Sequence, residues 1–141
     1  MQYSNKQVNN ITLLIIEDVT EIRHAFSEYF TSEGFKVLIA KDGQEALDIV
    51  ENTPNIDVVL LDLMLPKVEG LRVLEKIKET PAMKHIKIIL STVIGKDNVI
   101  KQAFNLGADG YIIKDTHTLP EMKQEILNVL NGNGKKPQDK N

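Results

Sequence analysis

Two kinds of segment alternate along the chain. Ile11–Ile16 and Val58–Leu61 are short and almost wholly apolar, and Ile86–Leu90 is similar apart from Lys87. Tyr111–Ile113 is a shorter relative of these runs. Continuous Ile, Val and Leu over a few residues suits strands buried on both faces, as in a parallel sheet. Phe35–Ala40 alternates less cleanly and reads as a candidate edge strand. Between these runs the apolar period lengthens. Ile22, Ala25, Phe26, Tyr29 and Phe30 make a one-faced helical stripe. Ala46, Leu47, Ile49 and Val50 predict a short helix after Gly43. Leu71, Val73, Leu74 and Ile77 predict another. Val99, Ile100, Ala103, Phe104 and Leu106 form a further stripe, and Met122, Ile126, Val129 and Leu130 the last.

The punctuation agrees. Gly34 and Gly107 stand where a helix end needs a residue tolerant of positive φ. Thr118 and Glu121 have capping-box spacing, with Pro120 in the first turn where its missing N–H does no harm. Pro54 and Pro81 follow helical runs and stop them. A strand–helix unit thus occurs five times. That order predicts an α/β protein, a doubly wound parallel sheet with helices on both faces.

Composition narrows the function classes. The 141 residues are 42% apolar and 26% charged, in keeping with one globular domain. The formal net charge of −3 argues against nucleic-acid binding, which needs clustered Lys and Arg. With no cysteine, disulfides, thiolate catalysis and zinc–thiolate sites are excluded. Residues 1–10 form a polar N-terminal extension without the layout of a signal peptide, and the domain proper is expected at 11–131. Residues 132–141, GNGKKPQDKN, hold no large apolar side chain and predict a disordered tail or linker stub. No apolar run approaches the ~20 residues that span a bilayer. A cytoplasmic protein without membrane insertion is expected.

Open α/β sheets bind ligands beyond the carboxyl ends of their strands. The first predicted strand ends in Glu17-Asp18, the third in Asp62, the fourth in Ser91-Thr92 and the fifth in Lys114. An acidic pair after a strand is often only a helix cap, and a terminal Lys or Thr only a solvated strand end. Asp62 is the sharper feature, because it interrupts the apolar stretch Val58–Leu65 and its charge needs a partner if buried. Crowded carboxylates recruit a cation or raise a pKa. All-oxygen ligation suits Mg2+. A carboxylate beside such a cation can attack phosphorus, and a lysine and a hydroxyl can hold the transferred oxygens.

The motifs LLIIED at 13–18, LLDLMLPKVEG at 60–70, IILST at 88–92 and GADGYIIK at 107–114 together resemble the receiver domain of two-component response regulators, over about residues 11–131. The resemblance implies a five-stranded flavodoxin-like sheet in the order 2-1-3-4-5. It makes Asp62 the phosphoacceptor, and Glu17 and Asp18, with Asp62 and the backbone carbonyl of Met64, the Mg2+ site. Thr92 takes the place of the switch hydroxyl, Lys114 of the phosphate-binding lysine, and Tyr111 of the switch aromatic. Ser91 competes with Thr92, but the spacing to Tyr111 and Lys114 favours Thr92. For Tyr111, local strand packing is an equally good reading. The implied partners are a sensor histidine kinase or histidine phosphotransfer protein upstream and a protein target downstream. The chain is then a phosphoprotein of phosphorelay signalling that assists its own phosphorylation and dephosphorylation, with no separate substrate.

Two positions depart from the family. Asp115 follows the lysine where many receivers have proline in a cis peptide, a bond that other residues disfavour. Val93 follows the switch hydroxyl where a small residue is usual. These departures support an alternative, a phosphorylation-independent interaction module on the same fold. An independent aspartyl phosphatase is disfavoured because Met64 stands where a second carboxylate is needed. A flavin site is disfavoured because the first loop is acidic.

Overall fold

The computed structural model describes residues 5–65 and 69–137. Pro66, Lys67 and Val68 of the 60–70 motif lie outside the described residues, as do residues 1–4 and 138–141. After a 3-10 turn at Asn5–Asn10, strands and helices alternate. They are β1 (Thr12–Ile16), α1 (Thr20–Ser32), β2 (Lys36–Ala40), α2 (Gly43–Asn52), β3 (Val58–Asp62) and α3 (Glu69–Glu79). The series continues with β4 (Lys87–Thr92), α4 (Asp97–Asn105), β5 (Gly110–Ile113) and α5 (Leu119–Leu130). The five strands form one parallel sheet in the order β2-β1-β3-β4-β5, as expected.

The apolar runs are continuous because the inner strands are covered twice. β3 is buried along its whole length, and β1 and β4 at every position but the first. The edge strands β2 and β5 are only partly covered, which is why their patterns are broken. Alternate side chains feed two cores. Leu14, Ile16, Val59, Leu61, Ile88 and Leu90 pack with α2, α3 and α4. Leu13, Ile15, Val58, Leu60 and Ile89 pack with α1 and α5, around Phe26, Phe30 and Ile126.

Local signals end the elements where the sequence places them. Gly34 and Gly107 take φ of 102° and 109°, conformations that a Cβ would strain. Thr118 accepts from the amide of Glu121 at 3.2 Å, and Glu121 accepts from the amide of Thr118 at 2.8 Å, completing the capping box. At the N-terminus Val8 is buried against the α1 side of the sheet, and the amide of Ile11 donates to its carbonyl at 2.9 Å. At the other end, residues 133–137 have no regular structure.

One polar knot ties three segments at the end of the sheet remote from the strand C-termini. Asp109 Oδ2 accepts from Lys78 Nζ and from the amide of Ile88, each at 2.9 Å, while Lys78 also donates to the carbonyl of Ile86 at 2.8 Å. Asp109→Ala would leave the Ile88 amide without its acceptor and remove the charge partner of Lys78. It is expected to lower stability by ~1–3 kcal/mol in urea unfolding, with an unchanged denaturant slope.

Candidate functional site

Parallel strands all deliver their last residues to one rim, and the connections after β1 and β3 pass to opposite faces of the sheet. That leaves a crevice between the ends of β1 and β3. Glu17 and Asp18 follow β1, Asp62 closes β3, Thr92 closes β4 and Lys114 follows β5. The structure brings the acidic residues together: carboxylate oxygens of Glu17, Asp18 and Asp62 all lie within 4.8 Å of one another. Glu17 and Asp62 are 1% and 2% exposed, whereas Asp18 faces solvent.

Lys114 lies among them. Its Nζ is 2.8 Å from Glu17 Oε1 and 3.4 Å from Asp62 Oδ1. Asp62 Oδ1 also accepts from the amide of Met64 at 2.8 Å, and Glu17 Oε2 from the amide of Val19 at 3.1 Å. These bonds do not cancel the cost of burial. Desolvation raises the Asp62 pKa to about 6 from an ordinary 3.8, the Met64 amide and Lys114 pull it back, and the Glu17 charge pushes it further up. Burial alone would lower Lys114; its hydrogen bond to Glu17 and the Asp62 charge outweigh that, and its pKa is raised. With all four groups ionised, three negative charges meet one positive charge. The excess fits a divalent cation, and the donor set is all oxygen.

Two hydroxyls complete the rim. Ser91 Oγ and Thr92 Oγ1 are buried without a hydrogen-bond partner. Buried hydroxyls are normally paired, so a ligand that supplied acceptor oxygens would relieve them. Ser91 is in register with Asp62 on β3, and the Thr92 carbonyl accepts from the Lys114 amide at 2.8 Å. Tyr111 is half-buried on β5, its ring edge-on to Phe104 at 6.2 Å between centroids. Thr92 pairs with Ile113, so Tyr111 lies two residues back on the neighbouring strand and on the same sheet face. Asp115 is exposed, Val93 is half-buried, and no cis peptide occurs among the described residues.

One supporting residue escaped the sequence reading. Arg23 on α1 reaches back to donate to the carbonyl of Glu17 at 2.8 Å, fixing the β1–α1 loop that carries both acidic residues. A lone arginine in a first helical turn carries no signal of that reach.

A doubly wound parallel sheet in this strand order, with a buried aspartate, an acidic pair and a lysine at its switch point, is a CheY-like flavodoxin fold. Residues 13–127 match the family model described as the response regulator receiver domain. The chain belongs to that family, the receiver domains of two-component systems. It is 35% identical over 105 residues to response regulator RR06 of Streptococcus pneumoniae, a match covering 74% of this chain and 46% of that protein. It is 33% identical to the chemotaxis protein CheY of Treponema pallidum, covering 72% of this chain and 71% of the relative. The chain thus spans about half the length of the first relative, 46%. Among solved structures, the CheX–CheY–BeF3–Mg2+ complex of Borrelia burgdorferi is similar, with 31% identity, a TM-score of 0.74 and coverage of 84% of this chain and 88% of that one. Receiver domains bind Mg2+ at an acidic site, and this chain has an acidic cluster in Glu17, Asp18 and Asp62. No helix among the described residues is long and apolar enough to cross a membrane.

The raised Asp62 pKa has a consequence for stability. The folded state holds the Asp62 proton more tightly than the unfolded chain does. Its contribution to stability is therefore full below pH 3.8 and is lost as pH rises through about 6. Asp62→Asn mimics the neutral form. Without divalent ions it is expected to stabilise the fold by ~1–2 kcal/mol near neutral pH, after discounting for solvent screening. Thermal melts at neutral pH and near pH 3.8 check this, the gain disappearing at the lower value.

Proposed function

We propose that the chain accepts a phosphoryl group on Asp62 from a phosphohistidine donor, a histidine kinase or histidine phosphotransfer protein, and so switches its contacts with a downstream protein. The observation that carries this reading is the buried Asp62 carboxylate sharing Lys114 with Glu17 beside Asp18. An aspartate whose pKa is about 6 is mostly ionised at neutral pH and, poorly solvated, is a competent nucleophile. One carboxylate oxygen of Asp62 bonds to phosphorus as the bond from phosphorus to the imidazole nitrogen breaks, and the electron pair leaves with the imidazole. Lys114, positioned by Glu17, donates to the phosphoryl oxygens, and the unpartnered Thr92 hydroxyl turns to do the same.

Glu17, Asp18, Asp62 and the Met64 carbonyl would hold Mg2+, which neutralises charge on the incoming phosphoryl oxygens. The Mg2+ and BeF3 in the complex of the similar Borrelia protein support this assignment. Tyr111, on the same sheet face as Thr92, moves toward the space the hydroxyl vacates. The reaction is performed on the domain's own side chain, so no separate substrate is required.

The alternative, an interaction module indifferent to phosphorylation, rests on Val93 and Asp115. Asp115 points its charge into solvent, and no reacting group is missing. Intact mass after incubation with acetyl phosphate and Mg2+ tests the proposal. Wild type is expected to gain one phosphoryl mass, Asp62→Asn none, and chelation of the metal to abolish the gain. Label that persists in Asp62→Asn sinks the assignment.

A further inference from the structure

Beyond α5 the chain folds back along the domain. Gly132 turns it with φ of 82°. Gly134 then passes so close to the body that an added Cβ would overlap the carbonyl oxygen of Asp109 and stand 2.7 Å from Cγ2 of Val129. The amide of Lys135 donates to Glu125 Oε2 on α5 at 2.6 Å. The Lys135 ammonium lies over the Tyr111 ring, 5.2 Å from its centroid. Pro137 helps close a cavity of about 330 Å³ between α4 and β5, walled also by Ile94, Ile100, Tyr111 and Ile113. Ile94 is 64% exposed, more than any other large apolar side chain among the described residues. A segment of polar residues thus lies on a half-apolar face, held by a steric fit only glycine permits, one charge-assisted hydrogen bond and one cation–π contact.

We propose that Gly132–Pro137 is an autoinhibitory strap. It covers the face between α4, β5 and α5 and holds the Tyr111 ring between Phe104 and Lys135. This rests on reading Thr92 and Tyr111 as a coupled pair that responds to Asp62. Tyr111 and Thr92 share a sheet face on neighbouring strands, so a ring that moves toward Thr92 leaves the Lys135 ammonium behind. Whatever favours the inward ring therefore disfavours the strap. By linkage, loss of the strap strengthens binding at the phosphoryl site by the same factor. The strap in place also denies the Lys135-covered face of the Tyr111 ring to any protein partner.

Nuclear magnetic resonance on the 141-residue chain tests this, with beryllium fluoride and Mg2+ as the phosphoryl mimic. In the free protein the Lys135 amide is expected to be protected from exchange, and its side-chain methylene protons shifted by the Tyr111 ring. Saturation with the mimic is expected to abolish both signatures. Lys135→Ala, which removes the cation–π contact, and Gly134→Val, which cannot fit against Asp109, should each lower the half-saturating concentration of the mimic roughly two- to fivefold. Lys135→Arg, which keeps the contact, and Lys136→Ala, which matches the charge change, should both behave as wild type. Strap signatures that survive a saturated site, or unaltered affinity in Lys135→Ala and Gly134→Val, overturn the proposal. A free protein that lacks the signatures overturns it as well. If the Asp62, Thr92 and Lys114 resonances fail to respond to the mimic, the phosphoacceptor reading fails and takes the coupling with it. The strap contact is read separately in the same spectra.

Discussion

Everything distinctive about this domain follows from placing like charges where water is scarce. Glu17 and Asp62 end neighbouring strands of a sheet that is covered on both faces, and they are almost wholly removed from solvent. Lys114 is drawn between them, yet one ammonium does not neutralise two buried carboxylates with Asp18 beside them. The remaining repulsion and desolvation appear as the raised pKa of Asp62. A site in this condition is destabilising when empty of cations and gains most from what brings positive charge or takes up negative charge. The same imbalance leaves an excess of negative charge and an all-oxygen donor set beside Lys114.

The scaffold makes that imbalance tolerable. Two apolar cores grip the strands from both sides, so their ends cannot splay to relieve the repulsion. Arg23 and the amides of Val19 and Met64 fix the loops that carry the carboxylates. Polar groups on the β4–β5 side of Asp62 are less fully satisfied. Thr92 and Ser91 have unpaired hydroxyls there, and Tyr111 is half-buried with its ring against Phe104. Tyr111 in turn borders the face against which the segment after α5 packs.

Much of this was legible in the chain itself. The strands were readable because burial on both faces demands unbroken Ile, Val and Leu, and the helices because burial on one face demands a periodic stripe. β2 and β5 read less clearly because an edge strand is only partly covered, and its side chains answer to solvent as well. Glu17, Asp62, Thr92 and Lys114 were visible as polar groups at the ends of apolar runs, Asp62 most of all. Val8 was not: one valine in a polar stretch has no period, and its burial depends on the open space above Gly34. Lys135 was equally silent, since a lysine beside a lysine in a Gly- and Asn-rich segment reads as solvated chain.

By itself, then, the sequence determined the alternation of elements, the parallel sheet and the identity of the groups at its rim. Those are local matters, set by side-chain period, turn chemistry and the cost of burying a charge. Tertiary structure decided which carboxylates share Lys114, that Asp18 stays wet while Glu17 and Asp62 are dry, and that the hydroxyls of Ser91 and Thr92 are both left without partners. It alone brought Lys135 over Tyr111. Each of these depends on distances between residues far apart in the chain, and the electrostatics of a buried group are fixed by its neighbours in space rather than in sequence.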